Sequence, residues 1–173
     1  NTWVYWFVFN TQCPPFNNSK LRQAFAHAIN RSEIVAYEAT PLTPAYTPIP
    51  IDTENKNHPQ FPNYHPEKAR ALLQEALDQL KIKKEDFPPI TLIVHEKGPR
   101  EHAAHCIKRQ IEATLELKCI ITPLSWPETF SKVTQGDFQV SIMPWTSWVD
   151  DVLYTLDAFR FSDDKINLAK WEN

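Results

Sequence analysis

Residues 89–145 read PITLIVHEKGPREHAAHCIKRQIEATLELKCIITPLSWPETFSKVTQGDFQVSIMPW, and two hydrophobic periods alternate along them. PITLIVHE has the short, β-branched character of a strand, and REHAAHCIKRQIEATL the longer spacing of a helix. KCIITPLS then reads as a strand, PETFSKVTQ as a short helix and DFQVSIMPW as a third strand. The order β-α-β-α-β predicts an α/β layered domain, a mixed sheet flanked by helices.

The upstream residues extend this pattern. HPEKARALLQEALDQL (65–80) predicts an amphipathic helix with Pro66 in its first turn and Ala69, Leu72, Leu73, Ala76 and Leu80 on one face. SKLRQAFAHAINRSEIVAYEA is helical in spacing: Leu21, Ala24, Phe25 and Ala28 recur on one side, and Asn18 or Ser19 caps the start. Asn30-Arg31-Ser32 interrupts it, so a second short helix starts at Ser32. TWVYWFVF (2–9) is apolar on both alternating faces, which predicts a strand covered on both sides and therefore central. Its aromatics Trp3, Tyr5 and Trp6 read as strand core. Between the helices, residues 40–65 hold six prolines and no period, a loop packed over the surface or used in function.

The 173 residues fit one domain. Hydrophobic residues make up 42% and charged residues 23%, the profile of a globular chain with a real core. A net charge of −3 argues against nucleic acid as a partner, since that binding needs a basic stripe. No apolar run is long enough to cross a membrane as a helix. The chain opens NTWVYW, already in strand-like sequence, and reads as a piece of a longer polypeptide. Cys13, Cys106 and Cys119 form no CxxC pair, which leaves one disulfide plus a thiol, or three thiols.

Several of these segments stand in a familiar order. FNTQCPPFNNSKLRQAFAHAINRSEIV resembles the stretch FNT…PPF-(D/N)-x-x-x-(V/L)-R-x-A…(D/N)-R-x-x-(I/V) of extracytoplasmic oligopeptide-binding proteins, the family 5 solute-binding proteins that serve ABC peptide importers. PAYTPIP resembles that family's PA…PP loop, HPEKARALLQEAL its (D/N)PEKAKKLLAEAG helix, and residues 90–145 its strands, its W-x-x-(F/Y) helix and its GDFDV…GW strand. The resemblance implies that residues 1–173 are a single α/β lobe, the second of a two-lobed periplasmic-binding-protein-like clamp, with the first lobe absent. It further implies a peptide ligand held in the cleft, ABC transporter permease subunits as partners and no cofactor. The implied location is periplasmic or extracytoplasmic, with a lipid anchor in the complete protein as one form.

The family's counterpart of MPWTSWVDD (143–151) runs roughly GW-x-A-D-Y-x-(D/E)-P. The match implies Trp145 as a cleft-lining residue and the backbone of Thr146 and Ser147 as strand-type hydrogen-bonding groups. Trp148 stands where the family's aspartate would meet a peptide's amino group, so Asp150 takes that role only if the turn is rebuilt. The other reading of Asp150 and Asp151 is that they cap the helix VLYTLDAF. Arg100, near the start of a helix, aligns with a position from which a basic side chain reaches a peptide carboxylate; the plain alternative is a surface arginine.

Two chemical alternatives come from the residues themselves. His102, His105 and Cys106, with His95 nearby, have the donor types for a metal site, though not the HExxH or CxxC spacing of one. Cys13 or Cys106 with a histidine, or the Asp150–Asp151 pair, would be the start of an enzyme. Neighbouring aspartates point in different directions, and two glycines cannot build a phosphate loop, so the expectation is a binding protein.

Overall fold

A computed structural model describes residues 2–36, 42–49, 60–149 and 151–172. In chain order the elements are β1 (Thr2–Phe9), α1 (Ser19–Ala28), α2 (Arg31–Ala36), α3 (Pro66–Leu80), β2 (Ile90–His95), α4 (Pro99–Leu115), β3 (Cys119–Leu124), α5 (Trp126–Gln135), β4 (Val140–Ser147) and α6 (Val152–Asp157). A 3₁₀ turn at Lys84–Asp86 links α3 to β2. The β-α-β-α-β order expected from residue 89 onward is present, as is the break between α1 and α2.

Among the described residues the sheet has the order β1-β4-β2-β3. β2 is parallel to β3 and to β4, and β4 is antiparallel to β1 over eight residue pairs, from Thr2↔Ser147 to Phe9↔Val140. The sheet is therefore mixed. Its main correction to the sequence reading concerns β1, which lies at an edge rather than in the centre. Apolar side chains on both faces predicted a central strand, yet both faces are covered here although only one side is paired among the described residues.

One face packs on α1, α3 and α4. Phe7 and Phe9 of β1, Leu92 and Val94 of β2, and Val140 and Ile142 of β4 meet Phe25, Leu73 and Ile111 there. The other face carries Val4, Trp6, Val8, Ile93 and Met143 against Val133, Phe138 and Leu168. On α3, Leu77 joins the buried face that the sequence assigned to Ala69, Leu72, Leu73 and Ala76, whereas Leu80 is only half-buried. Trp3, expected in the core, is 47% exposed near the start of β1.

Local chemistry sets the ends of these elements. The Asn18 side chain caps α1 by accepting from Leu21 N–H. Ser125 and Glu128 form a reciprocal capping box at the start of α5, which satisfies two otherwise orphaned donors. α5 ends at Gly136 with φ +77°, a left-handed conformation that a side chain would strain.

Two buried amides pin the long-range arrangement. Asn10 follows β1 and donates through Nδ2 to the carbonyls of Gly136 (2.9 Å) and Phe138 (3.0 Å), while its Oδ1 accepts from Gln12 N–H (3.1 Å). Gln110 of α4 accepts from Asn30 N–H and donates to the Asn30 carbonyl and to Glu33, holding the chain break between α1 and α2. Arg31 then reaches back over the proline-rich stretch. It donates to the Pro62 carbonyl (3.0 Å) and lies over the rings of Tyr46 and Phe61, so segments 42–49 and 60–65 are fastened to α2. Those two parts of the proline-rich stretch are packed over the surface, and the remainder lies outside the described residues.

Two tests follow from this packing. Asn10→Ala removes a buried side chain with three hydrogen bonds and strands two carbonyls, so urea denaturation should show a loss of about 2–4 kcal/mol. His27 is buried in α1, bonded through Nδ1 to the Asn63 carbonyl and edge-on to His65. Burial lowers its pKa, with Lys68, His65 and Arg31 adding to the effect and the Asn63 carbonyl opposing it. A base whose folded pKa lies below its unfolded value binds more protons when unfolded, so its contribution is intact above about pH 6.5 and is lost as pH falls below that. The urea midpoint should therefore fall on acidification from pH 7.5 to 5, less steeply in His27→Gln.

Candidate ligand-binding edge of the sheet

The connections on either side of β2 run to opposite faces. From β2 the chain passes through α4 to β3 on one flank, and from β3 through α5 to β4 on the other. In an open α/β sheet such a reversal leaves a crevice outside the carboxyl ends of the strands. Here the two strands also separate along their length. β4 pairs with β2 only at Leu92↔Val140 and Ile93↔Ser141, while β4 continues to Ser147. Beyond Ser141, alternate backbone groups of β4 face away from β1 on the side that β2 has left. Pro144 interrupts this row of donors, since it has no N–H.

Aromatic rings line the end of β4. Trp145 stacks on Trp6 with ring centroids 4.7 Å apart and planes 12° apart. Its Nε1 donates to Thr155 Oγ1 of α6 (2.9 Å), and Trp6 Nε1 donates to the Pro48 carbonyl (2.8 Å). Phe159 lies 5.3 Å from Trp6, and Tyr154 lies 6.0 Å from Trp145. Both indoles are thus fixed in position and orientation. Trp145 is half-buried in this ladder, whereas Trp148 beyond the strand end is 68% exposed.

Thr146 and Ser147 sit where the sequence placed them, half-buried in the last pairs of β4 with β1. The Ser147 hydroxyl donates to the Val149 carbonyl (2.6 Å) and closes the turn after the strand. Asp150 lies outside the described residues. Asp151 caps α6, its Oδ1 accepting from Leu153 N–H (2.9 Å), as one of the two readings of that carboxylate held.

Arg100 stands in the first turn of α4, half-buried at the end of β2. Its Nη2 is 2.7 Å from His95 Nδ1, and its guanidinium lies 4.9 Å from the centroid of the Trp126 ring. Arginine only donates, so His95 accepts through Nδ1 and carries its proton on Nε2. Burial lowers the Arg100 pKa and Tyr5 opposes it, and the guanidinium keeps its charge at neutral pH. Arg100 and Trp145 therefore mark the ends of adjacent parallel strands on one edge of the sheet.

The residues offered for other chemistry do not assemble. His102 Nε2 and Cys106 Sγ, one turn apart on α4, approach to 3.5 Å, but His105 is exposed while Cys106 is buried. Among the described residues no three His, Cys, Asp or Glu side chains are grouped closely enough to hold a metal ion. Burial raises the Cys13 thiol above its ordinary pKa and pushes that of Cys119 up to about 11, so both are poor nucleophiles at neutral pH.

The sequence reading missed the Trp6–Trp145 stack and the tie to Thr155. Trp6 lies on the same face as Val4 and Val8, which signals its packing, but the strand that carries its partner becomes evident only from the register.

The chain has relatives among known proteins. The family described as Bacterial extracellular solute-binding proteins, family 5 Middle, matches residues 1–167. The chain is 25% identical over 175 residues to the oligopeptide-binding protein OppA of Bacillus subtilis (strain 168), covering 98% of this chain and 32% of that protein. It is 26% identical over 176 residues to the dipeptide-binding protein of Escherichia coli (strain K12), covering 97% and 32%. The chain thus spans about a third of the length of the curated relatives it matches. Among solved structures, Haemophilus influenzae OppA in complex with RPPGFSPFR has the same fold, with a TM-score of 0.82 at 19% identity over 100% of this chain and 35% of that one. With its mixed sheet, its diverging β4 and a family match that runs almost end to end, the chain belongs to the bacterial extracellular solute-binding proteins of family 5.

Proposed function

We propose that this chain is one lobe of the substrate-binding component of an ABC peptide importer, contributing one wall of a cleft that captures an extended peptide for delivery to membrane permease subunits. The observation that carries this reading is the divergence of β4 from β2 after Ser141 beside a fixed aromatic ladder. An extended peptide satisfies such a strand edge by backbone hydrogen bonds, which are indifferent to sequence, while neighbouring aromatic surfaces accept side chains. The relatives named for oligopeptide and dipeptide binding support the same ligand class. The complete protein works outside the cytoplasm, in the periplasm or anchored by lipid at the cell surface, and performs no covalent chemistry. A second lobe, supplied by the rest of the polypeptide, closes over the ligand.

In this reading the site residues divide by task. Trp145 is a rigid wall, the backbone of Thr146 and Ser147 the pairing edge, and Trp148 an exposed apolar contact. Asp150 is retained from the sequence as a carboxylate for a ligand amine. Arg100 offers a positive charge to a peptide carboxylate. Trp148 in place of a carboxylate favours ligands whose contact at that point is apolar or aromatic: an indole gives a cation about 0.5–1 kcal/mol at an exposed site, against about 1.5–3 kcal/mol from a charged hydrogen bond.

Two substitutions in the complete protein separate binding from folding. Trp148 is largely exposed, so Trp148→Ala should weaken peptide binding about three- to thirtyfold, with the thermal midpoint moving by no more than about 1 °C. Titration followed by tryptophan fluorescence and a thermal melt measure the two effects, and unchanged affinity for every peptide tested would remove Trp148 from the site. Arg100→Gln should weaken peptides with a free C-terminal carboxylate more than the same peptides as amides. Equal losses for both forms would make Arg100 a packing residue of the His95–Trp126 corner.

A further inference from the structure

The arginines of this chain find ordinary partners, with one exception. Arg70, Arg109 and Arg160 pair with carboxylates at the surface, and Arg22 and Arg31 donate to backbone carbonyls. Arg100 instead donates to an imidazole, with His95 Nδ1 at 2.7 Å, and among the described residues no carboxylate forms an ion pair with it. Two acids on neighbouring turns are engaged elsewhere. Glu101 accepts from Lys97 N–H, and Glu128 belongs to the capping box of α5. The Arg100 charge is thus half-buried and uncompensated.

The local fold holds this pair in place. His95 is the last residue of β2 and sits opposite Leu124 of β3, with the next N–H, that of Glu96, bonded to the Leu124 carbonyl (2.8 Å). The chain then turns through Lys97 and Gly98, both at positive φ, the second at +88° where glycine is favoured. Pro99 opens α4 with its fixed φ, and the Glu101 N–H is bonded to the Gly98 carbonyl (3.1 Å). Arg100 is thereby folded back over His95. The Trp126 ring, edge-on to His95 with centroids 5.9 Å apart, supports the guanidinium at 4.9 Å.

A carboxylate at position 95 would hold an arginine more strongly, but it would also neutralise it and compete with any acid that a ligand brings. A neutral imidazole accepts one N–H, fixes the plane of the group and leaves its charge and its other N–H groups to a ligand. We propose that His95 is the positioning residue of a carboxylate subsite: it holds Arg100 against Trp126 without neutralising it, so that an already oriented guanidinium meets the terminal carboxylate of a peptide. The inference rests on the peptide reading and extends it to specificity. A peptide with a free terminal acid is preferred to the same peptide capped as an amide, and an uncharged acceptor at position 95 sets that preference.

The complete polypeptide is titrated with a pool of tripeptides and tetrapeptides with uncharged side chains, prepared once as free acids and once as C-terminal amides. The ratio of the two apparent affinities, followed by tryptophan fluorescence, is the measured quantity. The unsubstituted protein should prefer the acids about tenfold or more. His95→Asn keeps an uncharged acceptor near the place of Nδ1 and should hold that ratio within about twofold. His95→Asp has nearly the same shape but brings a competing carboxylate, so its ratio should fall below about two. His95→Leu removes the acceptor and should lower the ratio about three- to tenfold. If circular dichroism shows that His95→Leu does not fold, the Asn and Asp variants carry the comparison. An Asp variant that keeps the unsubstituted ratio, an Asn variant that falls to the Asp level, or a folded Leu variant with no loss overturns the role of His95. Arg100→Gln separates that failure from a failure of the underlying reading. A ratio lost in Arg100→Gln but kept in His95→Asp removes the positioning role alone. A ratio that survives Arg100→Gln, or equal affinity of the unsubstituted protein for acids and amides, takes the carboxylate away from Arg100 and overturns the proposal too. Binding of neither form removes the peptide reading and the proposal with it.

Discussion

The Asn10 side chain sets the register on which the other assignments depend. By donating to the carbonyls of Gly136 and Phe138, it ties the end of β1 to the turn that leads into β4. Pairing then runs back from Phe9↔Val140 to Thr2↔Ser147 without a bulge. Because side chains alternate along a strand, a slip of one residue would exchange the two faces. Trp6 would leave the face of Trp145, and Phe7 and Phe9 would leave the three-helix layer. Thr11 reinforces the pin, its hydroxyl lying 3.1 Å from the Ala169 carbonyl and 2.8 Å from that of Lys170. A single polar residue thus settles which aromatics build the core and which build the candidate site.

The two faces have different tasks. The layer under α1, α3 and α4 is aliphatic and phenylalanine-rich, with Phe16, Leu21, Phe25, Ile90, Ile111 and Leu115 almost wholly buried. The opposite layer is smaller and contains the Trp6–Trp145 stack, which is continuous with the open end of β4. The main core and the candidate site are therefore partly separated across the sheet, though Trp145 belongs to both layers of this arrangement. One buried polar atom marks the second face: the Ser141 hydroxyl has no hydrogen-bond partner among the described residues. It sits at the last register position shared with β2, where β4 begins to diverge.

Much of the fold was legible because local and global signals agree. Period, caps and breaks in residues 65–147 all pointed to the elements that form, and Asn30-Arg31-Ser32 marked the helix break that Gln110 secures. The place of β1 was not legible in the same way. Its pattern reports how many faces are covered, not how many neighbours are hydrogen-bonded, and here the two differ. The strand-end positions of Trp145, Thr146 and Ser147 were legible from motif spacing, and the capping role of Asp151 from the chemistry of helix starts. The Arg100–His95–Trp126 corner was only partly so. Arg100 could be placed near a helix start, but its partners lie five positions back on β2 and twenty-six positions on in α5, a distance that only the crossover geometry closes.

What remains is why such an aromatic edge would suit the proposed ligand, a peptide bound mainly through its backbone. Ordering a side chain on binding costs roughly 0.5–1.5 kcal/mol for a long, rotamer-rich group. Trp6 and Trp145 have already met that cost in the fold, because each indole N–H is bonded at its far side, to Pro48 and to Thr155, and the rings hold one another. A ligand side chain laid against them meets a surface that does not reorganise. Trp148 has no such restraint among the described contacts and can follow ligands of different width. A rigid wall next to a free strand edge, with one adaptable indole at its end, favours a common backbone geometry over any one side chain. That balance is what the proposed role in capturing varied peptides requires, and it would be lost if the ladder were loosened or Trp148 tied down.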